Sequence, residues 1–103
     1  MYFYILPGPF RLGFGITSRD PSEREKEYTG AWGGTAQFKY LLEGPTPHVK
    51  RLENIIKTMH TDMLWKNDDW KTEWLDNGWT AEQLLSFVQE IINERHLKIS
   101  QVK

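Results

Sequence analysis

The sequence predicts an α+β fold, a small and mainly antiparallel three-stranded sheet flanked by helices. Three observations predict it. Two strand-like runs flank a proline–glycine–proline turn at the start of the chain, and two later segments carry apolar residues at helical spacing behind clear start signals. The length, 103 residues, suits one domain and is short for two, so residues 1–103 are read as a single domain.

Tyr2 to Leu6 is an aromatic and β-branched run and reads as the first strand. Pro7-Gly8-Pro9 is a stiff turn that cannot continue it. Phe10 to Thr17 reads as its hairpin partner, with Gly13 and Gly15 marking a bulge or a close approach of backbone. A helix starts next: Asp20 is its N-cap, Pro21 its first residue and Glu23 the capping-box partner. Gly30, Gly33 and Gly34 predict that this helix is short, and Arg24 and Tyr28 share one face of it.

Thr35 to Glu43 reads as the third strand, and Thr46-Pro47 opens a second helix. Val49, Leu52, Ile56, Met59 and Met63 form its core-facing stripe, and Glu53 lies at the edge of that stripe. Leu64 to Trp79 carries four of the five tryptophans and reads as ordered loop, with a short edge strand within Lys71 to Leu75. The indoles favour core and loop packing over a platform for stacking bases. Thr80 and Gln83 cap a third helix with Leu84, Leu85, Val88, Ile91 and Ile92 as its stripe, and the polar tail after His96 is expected to fray.

Composition narrows the function classes. The absence of cysteine excludes disulfides and thiolate metal sites. No apolar run reaches the ~18 residues that span a bilayer, and MYFYIL lacks the basic start of a signal peptide, so a cytoplasmic protein with no membrane role is expected. Thirteen basic and 14 acidic residues leave a net charge of −1, so any hold on nucleic acid must come from a local basic face. Arg11, Arg19, Lys26, Lys39, Lys50 and Arg51, all in the first half, are the candidates.

Several short motifs share one order. Tyr2-Phe3-Tyr4 sits on the first strand and Gly13-Phe14-Gly15-Ile16-Thr17 ends the second. Arg24 follows within D-P-S-E-R, Tyr28 four residues later, and Glu53 within R-L-E-N-I-I-K. In these motifs and their order the first sixty residues resemble the GIY-YIG nuclease family, particularly its compact phage and bacterial branch. Gly13 stands where that family usually has tyrosine or lysine. The family's late asparagine is matched by Asn77 in L-D-N-G, with Glu73 as the alternative.

The resemblance implies a small, metal-dependent DNA endonuclease, phage-encoded and acting in the cytoplasm of a bacterial or phage-infected cell. Glu53 would hold one Mg²⁺ or Mn²⁺ weakly, because a hard divalent ion accepts one carboxylate plus waters and substrate phosphate. Arg24 would pair with the phosphate through its planar fork. Tyr4 or Tyr28 would orient or deprotonate the nucleophilic water, Tyr2 is a second candidate for the same cleft, and Asn77 would complete the site. Gly15, Arg11, Arg19 and Lys26 would contact substrate. With no room for a DNA-reading domain, low sequence specificity is expected, or a homodimer or protein partner that supplies it. The rival reading is a GIY-YIG fold that no longer cuts and binds a protein or nucleic-acid partner. The plain alternative for Arg24 is a pair with Glu27 or Tyr28 on an exposed face.

Overall fold

The computed structural model describes residues 1–7, 12–32, 37–59, 64–65, 73–75 and 79–103. The chain runs β1 (Tyr2–Pro7), β2 (Leu12–Thr17), α1 (Pro21–Trp32), β3 (Tyr40–Glu43), α2 (Thr46–Met59), β4 (Leu64–Trp65), β5 (Glu73–Leu75), α3 (Ala81–Arg95) and β6 (Ser100–Gln101). The α+β class is as expected. The sheet is larger than expected: six strands in the order β4-β5-β2-β1-β3-β6, every neighbouring pair antiparallel.

β1 lies at the centre and is buried on both faces. Successive residues of a strand point to opposite sides. Phe3 and Ile5 accordingly join one core with Phe14, Leu42, Val49, Leu52, Ile56, Leu84, Val88 and Ile91, from β2, β3, α2 and α3. Tyr4 and Leu6 join a second, smaller core with Tyr28, Phe38 and Leu41. Helices α2 and α3 thus cover one face of the sheet and α1 the other. The apolar run Phe3–Leu6 is the sequence signature of that two-sided burial.

Local chemistry accounts for the helix ends. The Asp20 carboxylate accepts the Ser22 N–H at 3.0 Å and the Ser22 hydroxyl at 2.9 Å, which caps α1. Thr80 and Gln83 form the full capping box of α3. The His48 and Val49 N–H groups donate to the Pro45 carbonyl at 3.0 Å, so α2 opens just behind a proline that donates no hydrogen bond itself.

Four expectations are corrected. Helix α1 runs through Gly30 to Trp32, because one interior glycine costs only about 1 kcal/mol against alanine. The third strand, expected from Thr35, pairs only over Tyr40–Glu43, and residues 33–36 lie outside the described residues. The segment within Lys71 to Leu75 forms β5, which is interior to the sheet, flanked by β2 and β4.

The tail after His96 does not fray. His96 takes a left-handed conformation (φ 54°) that ends α3 and turns the chain back to the sheet. Leu97 and Ile99 are then buried, β6 pairs with β3, and Val102 donates to the Leu41 carbonyl at 2.8 Å. Gly44 permits the approach, since a Cβ there would stand 2.7 Å from the Lys98 carbonyl oxygen. Two apolar residues at a spacing of two are too short a pattern to read as a strand from sequence. The Pro7-Gly8-Pro9 turn beyond Pro7, and Met63, lie outside the described residues. No helix among the described residues is long and apolar enough to cross a membrane.

Ile99→Ala is expected to destabilise the fold by about 2–4 kcal/mol, as for other large-to-small core changes. Val102→Ala, at a side chain 54% exposed, should cost under about 0.5 kcal/mol. Urea unfolding of both variants checks this; equal, negligible effects would mean the tail is not part of the core.

Candidate functional site

The buried polar centre of the molecule is built on Tyr4. The β1–β2 register places Tyr4 directly opposite Gly15. A Cβ at position 15 would fall 2.4 Å from the Tyr4 hydroxyl oxygen and 2.6 Å from Cζ, so the phenol lies across bare backbone that only glycine leaves open. The β1–β2 pairing is continuous through Gly13 and Gly15, so of the two expected alternatives it is the close approach that occurs. Phe38 stacks on the Tyr4 ring, with centroids 4.4 Å apart and planes 15° from parallel.

Helix α1 delivers the partners. Arg24, Glu27 and Tyr28 are three and four residues apart and share a face. The Tyr4 and Tyr28 hydroxyl oxygens are 3.0 Å apart. Arg24 Nη2 donates to the Tyr28 hydroxyl at 3.2 Å, and Nε and Nη2 reach the Tyr4 hydroxyl at 3.4 and 3.5 Å. Its guanidinium carbon lies 5.1 Å from the Tyr28 ring centroid, a cation–π distance. Nη1 donates to Glu27 Oε2 at 2.6 Å, and Arg19 ion-pairs with the other oxygen of the same carboxylate.

Arg24 is 7% exposed, so its charge carries a desolvation cost. Burial alone would lower its pKa; the bonds to Tyr4, Tyr28 and Glu27 outweigh that and hold it above its ordinary value. Glu27 is held below the usual carboxylate range, first by Arg19 and, against some burial, by Arg24. Burial, then the Tyr4 hydroxyl, pushes Tyr28 well up despite the opposing pull of Arg24. Tyr28 is therefore a neutral hydrogen-bonding group rather than a base. Tyr2 packs at the edge of this cluster, on the same strand face as Tyr4, and its cross-strand neighbour Glu43 holds its hydroxyl above the ordinary value.

The other sequence candidates are distributed differently. Arg19 joins the cluster through Glu27, while Lys26 is exposed on α1. Arg11 and Asn77 lie outside the described residues, and Glu73 opens β5 opposite Phe14. Glu53 is on α2, the helix whose stripe covers the opposite face of the sheet from Tyr4. There its carboxylate, 14% exposed, pairs with Lys57 Nζ at 3.3 Å. The proposed basic face is likewise divided: Arg19 and Lys26 belong to the α1 side, Lys50 and Arg51 to the α2 side. Compared with known proteins, the chain matches no family model, no curated protein and no solved structure.

A carboxylate is the right donor for a hard divalent ion, but Glu53 and Arg24 are on helices that cover opposite faces of the sheet. Among the described residues no group of three or more acidic or histidine side chains could hold a metal ion. Two partners escaped the sequence reading in part. Glu27 appeared as a surface partner for Arg24, yet its i,i+3 spacing carries it into a bridge between two arginines. Phe38, within the segment read as the third strand, gave no signal of its stacking role.

Gly15→Ala should cost about 1–3 kcal/mol, the usual range for overpacking, because the Tyr4 phenol is wholly buried and has nowhere to move. Equilibrium urea unfolding measures it. A second expectation concerns alkali. The raised Tyr28 value means its contribution is intact below the unfolded tyrosine pKa of about 10 and is lost as pH rises above that. The drop in stability between pH 8 and pH 11 should therefore be smaller in Tyr28→Phe than in the wild type, compared by urea midpoints.

Proposed function

We propose that the chain is a small DNA endonuclease of the GIY-YIG type that hydrolyses phosphodiester bonds. The observation that supports this best is the convergence of Tyr4, Gly15, Arg24 and Tyr28. These positions carry the resemblance in sequence, and strand pairing and one helix turn bring them into a single cluster.

On this reading Arg24 is the phosphate-binding group. Its side chain is fixed by two tyrosine hydroxyls, so little conformational freedom would be lost when a phosphate oxygen binds. Its remaining fork nitrogen, Nη1, points to Glu27, a side chain 44% exposed that can turn away to admit an anion. The Tyr4 hydroxyl would orient a water or a phosphate oxygen beside the guanidinium. A divalent ion, Mg²⁺ or Mn²⁺, would polarise the phosphate and acidify a bound water when present. Glu53 is the carboxylate proposed for it by resemblance, and its place on α2 gives no geometric route into a step with Arg24. The chain would be phage-encoded and act in the cytoplasm of an infected bacterial cell, with a homodimer or protein partner supplying specificity.

A second reading is a fold of this type that binds without cutting. Glu53 on the far side of the sheet favours it, as do Gly13 and the internal satisfaction of Arg24 by Tyr4, Tyr28 and Glu27.

Supercoiled plasmid incubated with wild type, Arg24→Ala and Glu53→Ala, with and without Mg²⁺ or Mn²⁺, separates the two. The nuclease reading expects metal-dependent nicking that falls about 100-fold or more in Arg24→Ala while circular dichroism shows the variant still folded. Loss in Glu53→Ala as well would place the ion there. Folded wild type that binds DNA and never nicks it would establish the second reading.

A further inference from the structure

A groove of about 560 Å³ runs between α2 and the last turn of α3, away from the Tyr4 cluster. Pro47, Lys50, Arg51, Asn54, Ile55, Thr58 and Arg95 line it, and among the described residues no carboxylate does. Of the other described lysines and arginines, Arg19 and Arg24 meet Glu27, Lys39 meets Glu82, Lys57 meets Glu53 and Lys103 meets Glu25, while Lys26 and Lys98 are exposed single cations outside the groove. Among the described residues Lys50, Arg51 and Arg95 have no ion pair, and all three are exposed. In a protein of net charge −1, a groove of one sign is a local exception that concentrates anions.

From this groove we infer a nucleic-acid backbone site, separate from Arg24 and serving to hold the polymer rather than to read it. The choice of nucleic acid rests on the nuclease reading above; the existence of an anion-binding groove does not. Lys50, Asn54 and Thr58 follow one another at i,i+4 steps, about 6 Å apart along α2. From the start of the stripe at Pro47 to Thr58 is roughly 16 Å, enough to follow about five nucleotides of one strand at ~3.4 Å each. Arg95 adds a planar fork from the facing helix, and Asn54 an amide donor. Among the described residues the lining offers donors and two apolar side chains, Pro47 and Ile55, with no aromatic anchor. Protein partners are usually held by such anchors, whereas phosphates need only donors and charge. Because phosphate contacts carry no sequence information, the site would add affinity without specificity.

The test is fluorescence anisotropy with a labelled random-sequence DNA duplex, and its single strand, from 50 to 200 mM salt. Wild type is compared with the triple variant Lys50→Gln/Arg51→Gln/Arg95→Gln and with Lys103→Gln, which removes a cation that does not line the groove and is already paired with Glu25 of α1. These side chains are exposed, so folding should be retained, with circular dichroism as the check. The triple variant should bind at least about tenfold more weakly at 50 mM salt, with the slope of log K against log salt shallower by about 0.9 per cation lost, and Lys103→Gln should match wild type. Wild-type binding that the triple variant reproduces would overturn the groove and leave the nuclease reading standing. Wild type that binds neither DNA form would overturn both. Labelled polyglutamate bound by wild type in preference to DNA, and lost in the triple variant, would reassign the groove to an acidic protein.

Discussion

The two-sided burial of β1 is the constraint on which the rest depends. A strand at the centre of a sheet must satisfy two different cores with one alternating sequence. Here the odd positions, Phe3 and Ile5, supply a conventional apolar core under α2 and α3. The even positions, Tyr4 and Leu6, face α1, and Tyr4 introduces a hydroxyl that has to be satisfied away from water. That requirement brings in Tyr28, and the pair of phenols in turn gives a buried arginine its acceptors. A one-residue slip of β1 would exchange the two faces and put the hydroxyl into the apolar core, so register and polar centre stand or fall together.

The Arg24 cluster is a compromise between stability and use. A buried guanidinium is costly unless its donors are paired, and four contacts to three groups, Tyr4, Tyr28 and Glu27, do most of that work. Three of its contacts are to neutral hydroxyls, which hold it in place without cancelling its charge. The one full countercharge, Glu27, sits at the surface and is shared with Arg19. Two guanidinium groups thus share one carboxylate. Carboxylates and phosphates alike can accept paired hydrogen bonds from a planar guanidinium fork.

Charge on the rest of the surface follows a different rule. Half of the lysines and arginines among the described residues are drawn into ion pairs, and the exposed pairs contribute little to stability. Lys50, Arg51 and Arg95 are not, and they share a groove on the other side of the sheet from Tyr4. The division of basic residues between the α1 and α2 sides means that a polymer touching both would have to pass around the edge of the sheet. A small protein of nearly balanced charge can still present positive surfaces if its acidic residues are spent elsewhere, and that distribution is set by the helix faces.

Much was legible before any coordinates. Asp20, Thr80 and Gln83 marked helix starts because capping is a local exchange between a side chain and N–H groups two or three residues on. The stripes Val49–Leu52–Ile56 and Leu84–Val88–Ile91 were readable because helical periodicity is written in the chain itself. So were Arg24 and Tyr28 as a pair, being four residues apart on one helix. What sequence could not settle was anything that depends on distance across the fold. The period-two pair Leu97 and Ile99 becomes a strand only because β3 leaves an edge for it to meet. Phe38 becomes a stacking partner only because β1 presents Tyr4 beside it. Glu53 and Arg24 belonged to one ordered set of motifs, but their helices pack on opposite faces of the sheet. Local patterns determined which residues form helices, caps and strands; the pleat and order of the sheet alone decided which of them meet, because contact between distant residues is a property of three-dimensional packing and leaves no mark at short range in the chain.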